Sequence, residues 1–173
     1  PVYFNNLCPS MTNLPDTLVY SQVYDPLFYK DWNDGGKVKG YLAESYEISE
    51  DGLDISIKLR DNVYFHNGDK LPSEDVKCTF DEMYTRTLGT ALLINWDSVE
   101  IVDELNLIFH LKAPYGAIMN ALCSRLNYIS SKDYWEEVGG FEGYNAAPIG
   151  TGPYKFVSAI PGDQVVLERN DEY

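Results

Sequence analysis

Between Leu53 and Arg60 apolar and polar residues alternate without a fault, in the order Leu-Asp-Ile-Ser-Ile-Lys-Leu-Arg. A period of two belongs to a strand with one buried and one wet face, so a half-buried strand is predicted here. The alternation returns where Leu105, Leu107, Phe109 and Leu111 share one face and His110 lies on the other, wet face. Ser98 to Val102 precedes it, with Asp103-Glu104 between the two as a hairpin turn. Tyr154 to Ile160 and Gln164 to Arg169 flank Pro161-Gly162-Asp163 and predict a second hairpin.

Other segments carry the helical period. Pro15-Asp16-Thr17 is a start signal ahead of Leu18 to Tyr24, and Pro26 limits how far that helix runs. Ser73 is placed to cap a helix in which Val76, Phe80, Met83 and Tyr84 fall on one face, a core stripe. Tyr115 to Leu126 and Ser131 to Val138, the latter capped by Ser131, are the remaining predicted helices. Asp31 to Gly36 and His66-Asn67-Gly68-Asp69 read as turns. Strands and helices are mixed with no regular βαβ repeat, no internal repeat and no low-complexity linker.

The stretch Ala147-Pro148-Ile149-Gly150-Thr151-Gly152-Pro153-Tyr154-Lys155-Phe156 is either a phosphate cradle or a rigid joint. A cradle needs free backbone N–H groups opening a helix. Pro153 removes one such donor, and the aromatic and β-branched residues that follow favour a strand. The rigid joint is the better reading.

Charge removes whole classes of function. A net charge of −14 on 173 residues disfavours nucleic acid and anionic membrane surfaces as partners. The longest apolar run, Ala91 to Ile94, is far too short to span a bilayer. No basic stretch followed by an apolar one opens the chain, so Pro1 is expected to follow a processed leader or an artificial boundary. Cys8, Cys78 and Cys123 lack metal-ligand spacing, and His66 and His110 are the only histidines, so no metal and no cofactor is expected. Cys78 and Cys123 read as small core residues. The Asp31 to Gly36 turn begins like a calcium loop, but Leu42 stands where the bidentate Glu is required. An acidic hydrolase would use paired carboxylates. Glu74-Asp75, Asp81-Glu82 and Glu136-Glu137 are sequence neighbours that diverge by about 100° on a helix, which suits solvated faces better. No catalytic residue is assigned.

The order of the pieces carries more than any one of them. Leu42-Ala43-Glu44-Ser45-Tyr46 leads through Leu59-Arg60-Asp61-Asn62-Val63-Tyr64-Phe65-His66-Asn67-Gly68 to Pro72-Ser73-Glu74-Asp75-Val76. Then come Ser98 to Asp103, Leu107 to Tyr115, Pro148 to Phe156 and Leu167-Glu168-Arg169-Asn170-Asp171-Glu172-Tyr173. From about Pro15 onward this resembles the extracytoplasmic solute-binding proteins of family 5, the oligopeptide and dipeptide class that serves ABC importers. Asp54 and Cys78 depart from the family's usual residues, and family members are more than twice as long.

The resemblance implies a mixed α/β fold, a periplasmic-binding-protein-like type II lobe with a small inserted α+β subdomain and the second lobe missing, hence an N-terminal fragment. It places the first part of the lobe's main sheet in 1–33, the inserted subdomain in 34–123 and the return to the main sheet in 124–173. It implies capture of a peptide by two-lobe closure without catalysis, outside the cytoplasm. The partners implied are the peptide and the permease subunits, with membrane contact only through that permease or a lipid anchor, and the protein a monomer. An oligosaccharide or metal-chelate ligand is the alternative within the family. The contacts it implies are Met11, Thr12 and Asn13 on the cleft floor, Asn95 and Trp96 reaching over it, and Ser124 and Arg125 behind it, with Arg125 suited to a ligand carboxylate.

Overall fold

The computed structural model describes residues 16–83, 95–123, 127–160 and 163–173. The first helix, α1 (Asp16–Val23), turns Val19 and Val23 inward and leaves Leu18 exposed. Pro26 then breaks the path, and β1 (Phe28–Asp31) pairs antiparallel with β2 (Lys37–Gly40). The expected turn joins them as a 3-10 turn at Trp32–Asp34, where the Asp31 carboxylate accepts the Asn33 N–H at 2.9 Å. Trp32 stands at this tip, 78% exposed.

A Cβ on Gly40 would lie 2.2 Å from the Ala43 carbonyl, so only glycine permits the tight passage into the next sheet. That sheet contains β3 (Ala43–Ile48), β4 (Asp54–Leu59), β5 (Trp96–Ile101) and β6 (Asn106–Leu111) in the order β3-β4-β6-β5, all antiparallel. The period-two reading holds. Ile55, Ile57, Leu59, Leu107, Phe109 and Leu111 are buried, with Ile55 opposite Phe109 and Ile57 opposite Leu107. The Asp103 carboxylate closes the β5–β6 turn by accepting the N–H groups of Leu105 and Asn106, both at 2.9 Å.

Helix α2 (Ser73–Cys78), continued by a π-helical turn at Thr79–Met83, covers the apolar face and buries Val76 and Phe80. Ser73 does not cap this helix. Pro72 holds the cap position, and the Ser73 hydroxyl donates instead to Asp103 O at 2.6 Å, tying α2 to the β5–β6 turn. Of the expected core stripe, Tyr84 lies outside the described residues.

The chain continues through α3 (Ile118–Leu122), α4 (Lys132–Glu137) and α5 (Phe141–Ala146) to the hairpin β7 (Tyr154–Ile160) and β8 (Gln164–Arg169). Ser131 caps α4 as expected, accepting the Tyr134 N–H at 3.2 Å. Helix α3 begins at Ile118 and not at the predicted 115, and residues 124–126 of the predicted range lie outside the described residues. Helix α5 and the strands β1, β2 and β3 are additions to the predicted set.

Two cores result. The first joins the four-stranded sheet, α2 and α3 with Leu27, Phe28 and Ile129. The second gathers Val19, Val23, Tyr24, Tyr128 and Tyr144, with Trp135, Phe156 and Leu167 packed around them. Ile149 packs against both.

Candidate functional site

The stretch from Gly150 to Gly152 lies where the two cores meet, and it forms a clamped joint. A Cβ on Gly150 would fall 2.1 Å from Val23 O, and one on Gly152 would fall 2.6 Å from Gln22 O, so both glycines are required by the approach of α1. Gly152 N–H donates to Val23 O at 2.9 Å. On the side of the first core, His66 N–H donates to Gly150 O at 2.9 Å and the imidazole reaches both glycines. Asn170 donates its side-chain amide to Gly152 O at 3.3 Å. The N–H groups of both glycines are spent on protein acceptors, which suits a rigid joint better than a phosphate cradle.

Between the glycines, the Thr151 hydroxyl donates to Asp25 Oδ2 at 3.0 Å. Asp25 is 5% exposed, and burial pushes its carboxyl up to about 6 against the hydrogen bonds from Thr151 and Tyr173. The Tyr173 hydroxyl also pairs with that of Tyr41, and burial together with those contacts raises its pKa. Beside these groups opens a cavity of about 560 Å³, lined among others by Asp25, Tyr41, Arg60, Tyr64, Thr151 and Tyr173. It presents phenolic hydroxyls, one guanidinium and a buried carboxylate, a set that can orient a ligand by hydrogen bonds.

The sequence-expected contacts fall elsewhere. Met11, Thr12, Asn13, Ser124 and Arg125 lie outside the described residues. Asn95 and Trp96 stand at the start of β5. The Asn95 carbonyl accepts from Lys112 N at 2.8 Å. Trp96 is half-buried, its ring 5.1 Å from Phe80 and 4.6 Å from Phe109 between centroids, so much of the indole is given to packing. Neither lines the cavity.

Two further ionisable clusters lie outside the cavity. On the wet sheet face, His110 Nδ1 lies 2.7 Å from Asp54 Oδ1 and its Nε2 lies 3.1 Å from Glu100 Oε2. The Asp54 contact, seconded by Glu100, raises the imidazole pKa. The carboxylates sit at opposite ring nitrogens, which gives a cross-strand ion triad and not a chelate or a free base. Among the described residues, no three His, Cys, Asp or Glu side chains converge on a metal position.

The second cluster corrects the sequence reading of Glu74-Asp75. Glu74 is exposed, but Asp75 is 4% exposed and accepts Lys132 N–H at 2.8 Å, fastening α2 to the start of α4. Burial is the main cause that lifts its carboxyl to about 7. The divergence of neighbouring residues around a helix held, and it sent one of the pair inward. Cys78 is buried and Cys123 half-buried against the first core, with the Cys123 thiol pushed up by burial.

Residues 37–173 match the family model described as bacterial extracellular solute-binding proteins, family 5 Middle. A glutathione-binding protein GsiB of Pectobacterium atrosepticum is 34% identical over 140 residues, covering 79% of this chain and 27% of that protein. A putative ABC transporter peptide-binding protein of Brucella ovis is 31% identical over 142 residues, covering 79% and 27%. Among solved structures, NikZ from Campylobacter jejuni in complex with Ni(L-His) superimposes with a TM-score of 0.85 at 30% identity, over 98% of this chain and 34% of that one. NikA from Brucella suis in complex with Fe(III)-EDTA gives 0.88 at 30%, over 100% and 35%. The chain spans about a third of the length of the relatives it matches.

Proposed function

The chain belongs to the bacterial extracellular solute-binding proteins of family 5, and from that premise we propose that it forms part of the extracytoplasmic capture component of an ABC importer for short peptides. The continuous match from residue 37 to residue 173 carries this reading. Relatives named for glutathione and for peptides favour a peptide ligand. The relatives solved with Ni(L-His) and Fe(III)-EDTA favour a metal chelate as the second reading.

On the peptide reading, two lobes close on the ligand by hinge motion, and the closed state is handed to the permease without chemical change. Main-chain hydrogen bonds supply affinity that tolerates varied side chains. Residues 34–123 act as the inserted subdomain of the first lobe, between 1–33 and 124–173. Met11, Thr12 and Asn13 supply the cleft floor, Asn95 and the free edge of Trp96 the roof, and Ser124 and Arg125 the rear, where a guanidinium suits a peptide carboxylate. The protein works as a monomer, meeting the membrane through its permease or a lipid anchor.

Native mass spectrometry of the protein at the length of its relatives, purified without added ligand, tests this. Retained masses that fragment as peptides are expected. A retained metal chelate would select the second reading, and turnover of a bound peptide would sink capture without chemistry.

A further inference from the structure

His66 lies between β4 and α2 and touches the joint three times. Its main chain donates to Gly150 O at 2.9 Å, Gly150 N–H donates to its Nδ1 at 3.3 Å, and its Nε2 lies 2.9 Å from Gly152 O. An amide N–H can only donate, so Nδ1 is bare and the single ring proton sits on Nε2, donating to the Gly152 carbonyl. Only the neutral imidazole can make both bonds. A second proton would place an N–H on Nδ1 directly against the N–H of Gly150.

The surroundings oppose that second proton. Lys155 of β7 is the charged group facing the ring, and its own partner, Glu172, is 3.8 Å away. Asp69, in the same turn as His66, is held by the Asn67 amide at 2.6 Å. Asp25 of the α1 side is engaged by Thr151. Burial, with Lys155 adding to it, holds the imidazole below its ordinary pKa. The other side of the joint is independent of His66, since Gly152 N–H is bound to Val23 O and Thr151 to Asp25.

We propose that His66 is a proton-operated clasp: neutral, it holds the joint through both ring nitrogens as well as its main chain, and protonated, it gives up the Gly150 N–H while its main-chain bond to Gly150 O, its bond to Gly152 O and the tie of the joint to the end of α1 remain. Acidification then changes the coupling between the two cores without dismantling either. The clasp does not depend on which ligand the protein carries.

Nitrogen-detected NMR of the histidine rings and amide exchange at Gly150 and Gly152, followed from about pH 7.5 to about pH 5, test it. The expected neutral form carries its proton on Nε2. Protection of the Gly150 amide falls by about tenfold or more as His66 titrates below about pH 6.5, while Gly152 keeps its protection. His66→Gln, which has nothing to titrate, gives a Gly150 protection that is flat across the same range. A proton on Nδ1 at neutral pH, Gly150 protection that ignores the His66 titration, or the same fall in H66Q would each overturn the clasp. Should H66Q fail to fold, the wild-type tautomer and the contrast between Gly150 and Gly152 decide alone.

Discussion

The two cores are built by different means. The first is a layer of aliphatic and aromatic side chains between a sheet and a helix, with Ile55, Ile57, Leu59, Leu107 and Phe109 all at 2% exposure or less. Three of the five buried residues that define the second are tyrosines. Their hydroxyls have to be satisfied in place, because an unpaired buried polar group is costly. Tyr144 donates to Ile149 O at 2.7 Å and accepts Ser131 N–H at 3.1 Å, so its ring fills space while its hydroxyl fixes two loops. The first core is expected to tolerate exchange of one apolar shape for another of equal volume. The second is specified by directional bonds, which give position to irregular chain that no sheet ladder orders.

Truncation in the first core has the largest expected effect. Phe109→Ala removes the ring packed against both Phe80 and Trp96 and lowers unfolding free energy by about 3–5 kcal/mol in denaturant titration. A loss near 1 kcal/mol would mean that the first core is less tightly filled than described.

The buried acids come next. Asp25 near 6 and Asp75 near 7 keep protons that the unfolded chain, with ordinary carboxyls near 3.8, has already released. Folding therefore takes up protons between about pH 4 and 7, and stability rises as pH falls through that window. His66, with its lowered pKa, opposes this below its ordinary 6.5. Asp75→Asn keeps an acceptor for Lys132 N–H and removes the ionisation. It is expected to raise stability at about pH 8 by on the order of 2–4 kcal/mol and to flatten the thermal-unfolding profile against pH. An unchanged profile would remove Asp75 from this account.

Tyr144→Phe keeps the ring and deletes the hydroxyl, leaving Ser131 N–H and Ile149 O without it. A loss of about 1–3 kcal/mol is expected, seen also as faster amide exchange at Ser131. A neutral result would mean that the second core is held by shape, like the first. Asp54→Asn on the wet sheet face is the smallest case, at about 0.5 kcal/mol or less, with the His110 titration moving down as the visible sign.

The first core was legible because its signal is local. A strand with one dry face repeats every two residues, and β4 and β6 each show it. The hairpin of β1 and β2 was not legible, since four-residue strands such as Phe-Tyr-Lys-Asp carry too few repeats to fix a period. Helix α5 contains Gly143, which reads as a breaker, yet a Cβ there would fall 1.9 Å from Val138 O, so close packing and not flexibility explains it. The role of His66 is set by residues 84 and 86 positions away, beyond any local pattern. Asp25 did leave a trace, as one carboxylate inside Val23-Tyr24-Asp25-Pro26-Leu27-Phe28. A charge within so apolar a run signals a buried partner, here Thr151.

The chain's three tryptophans occupy three different settings: Trp32 on the bare hairpin tip, Trp96 in the aromatic layer of the sheet core and Trp135 beside Tyr144. The molecule therefore carries its own optical labels. With Trp32 replaced by Phe, the remaining emission comes from one indole in each core. Single-tryptophan forms then show whether the two halves melt at one temperature or at two.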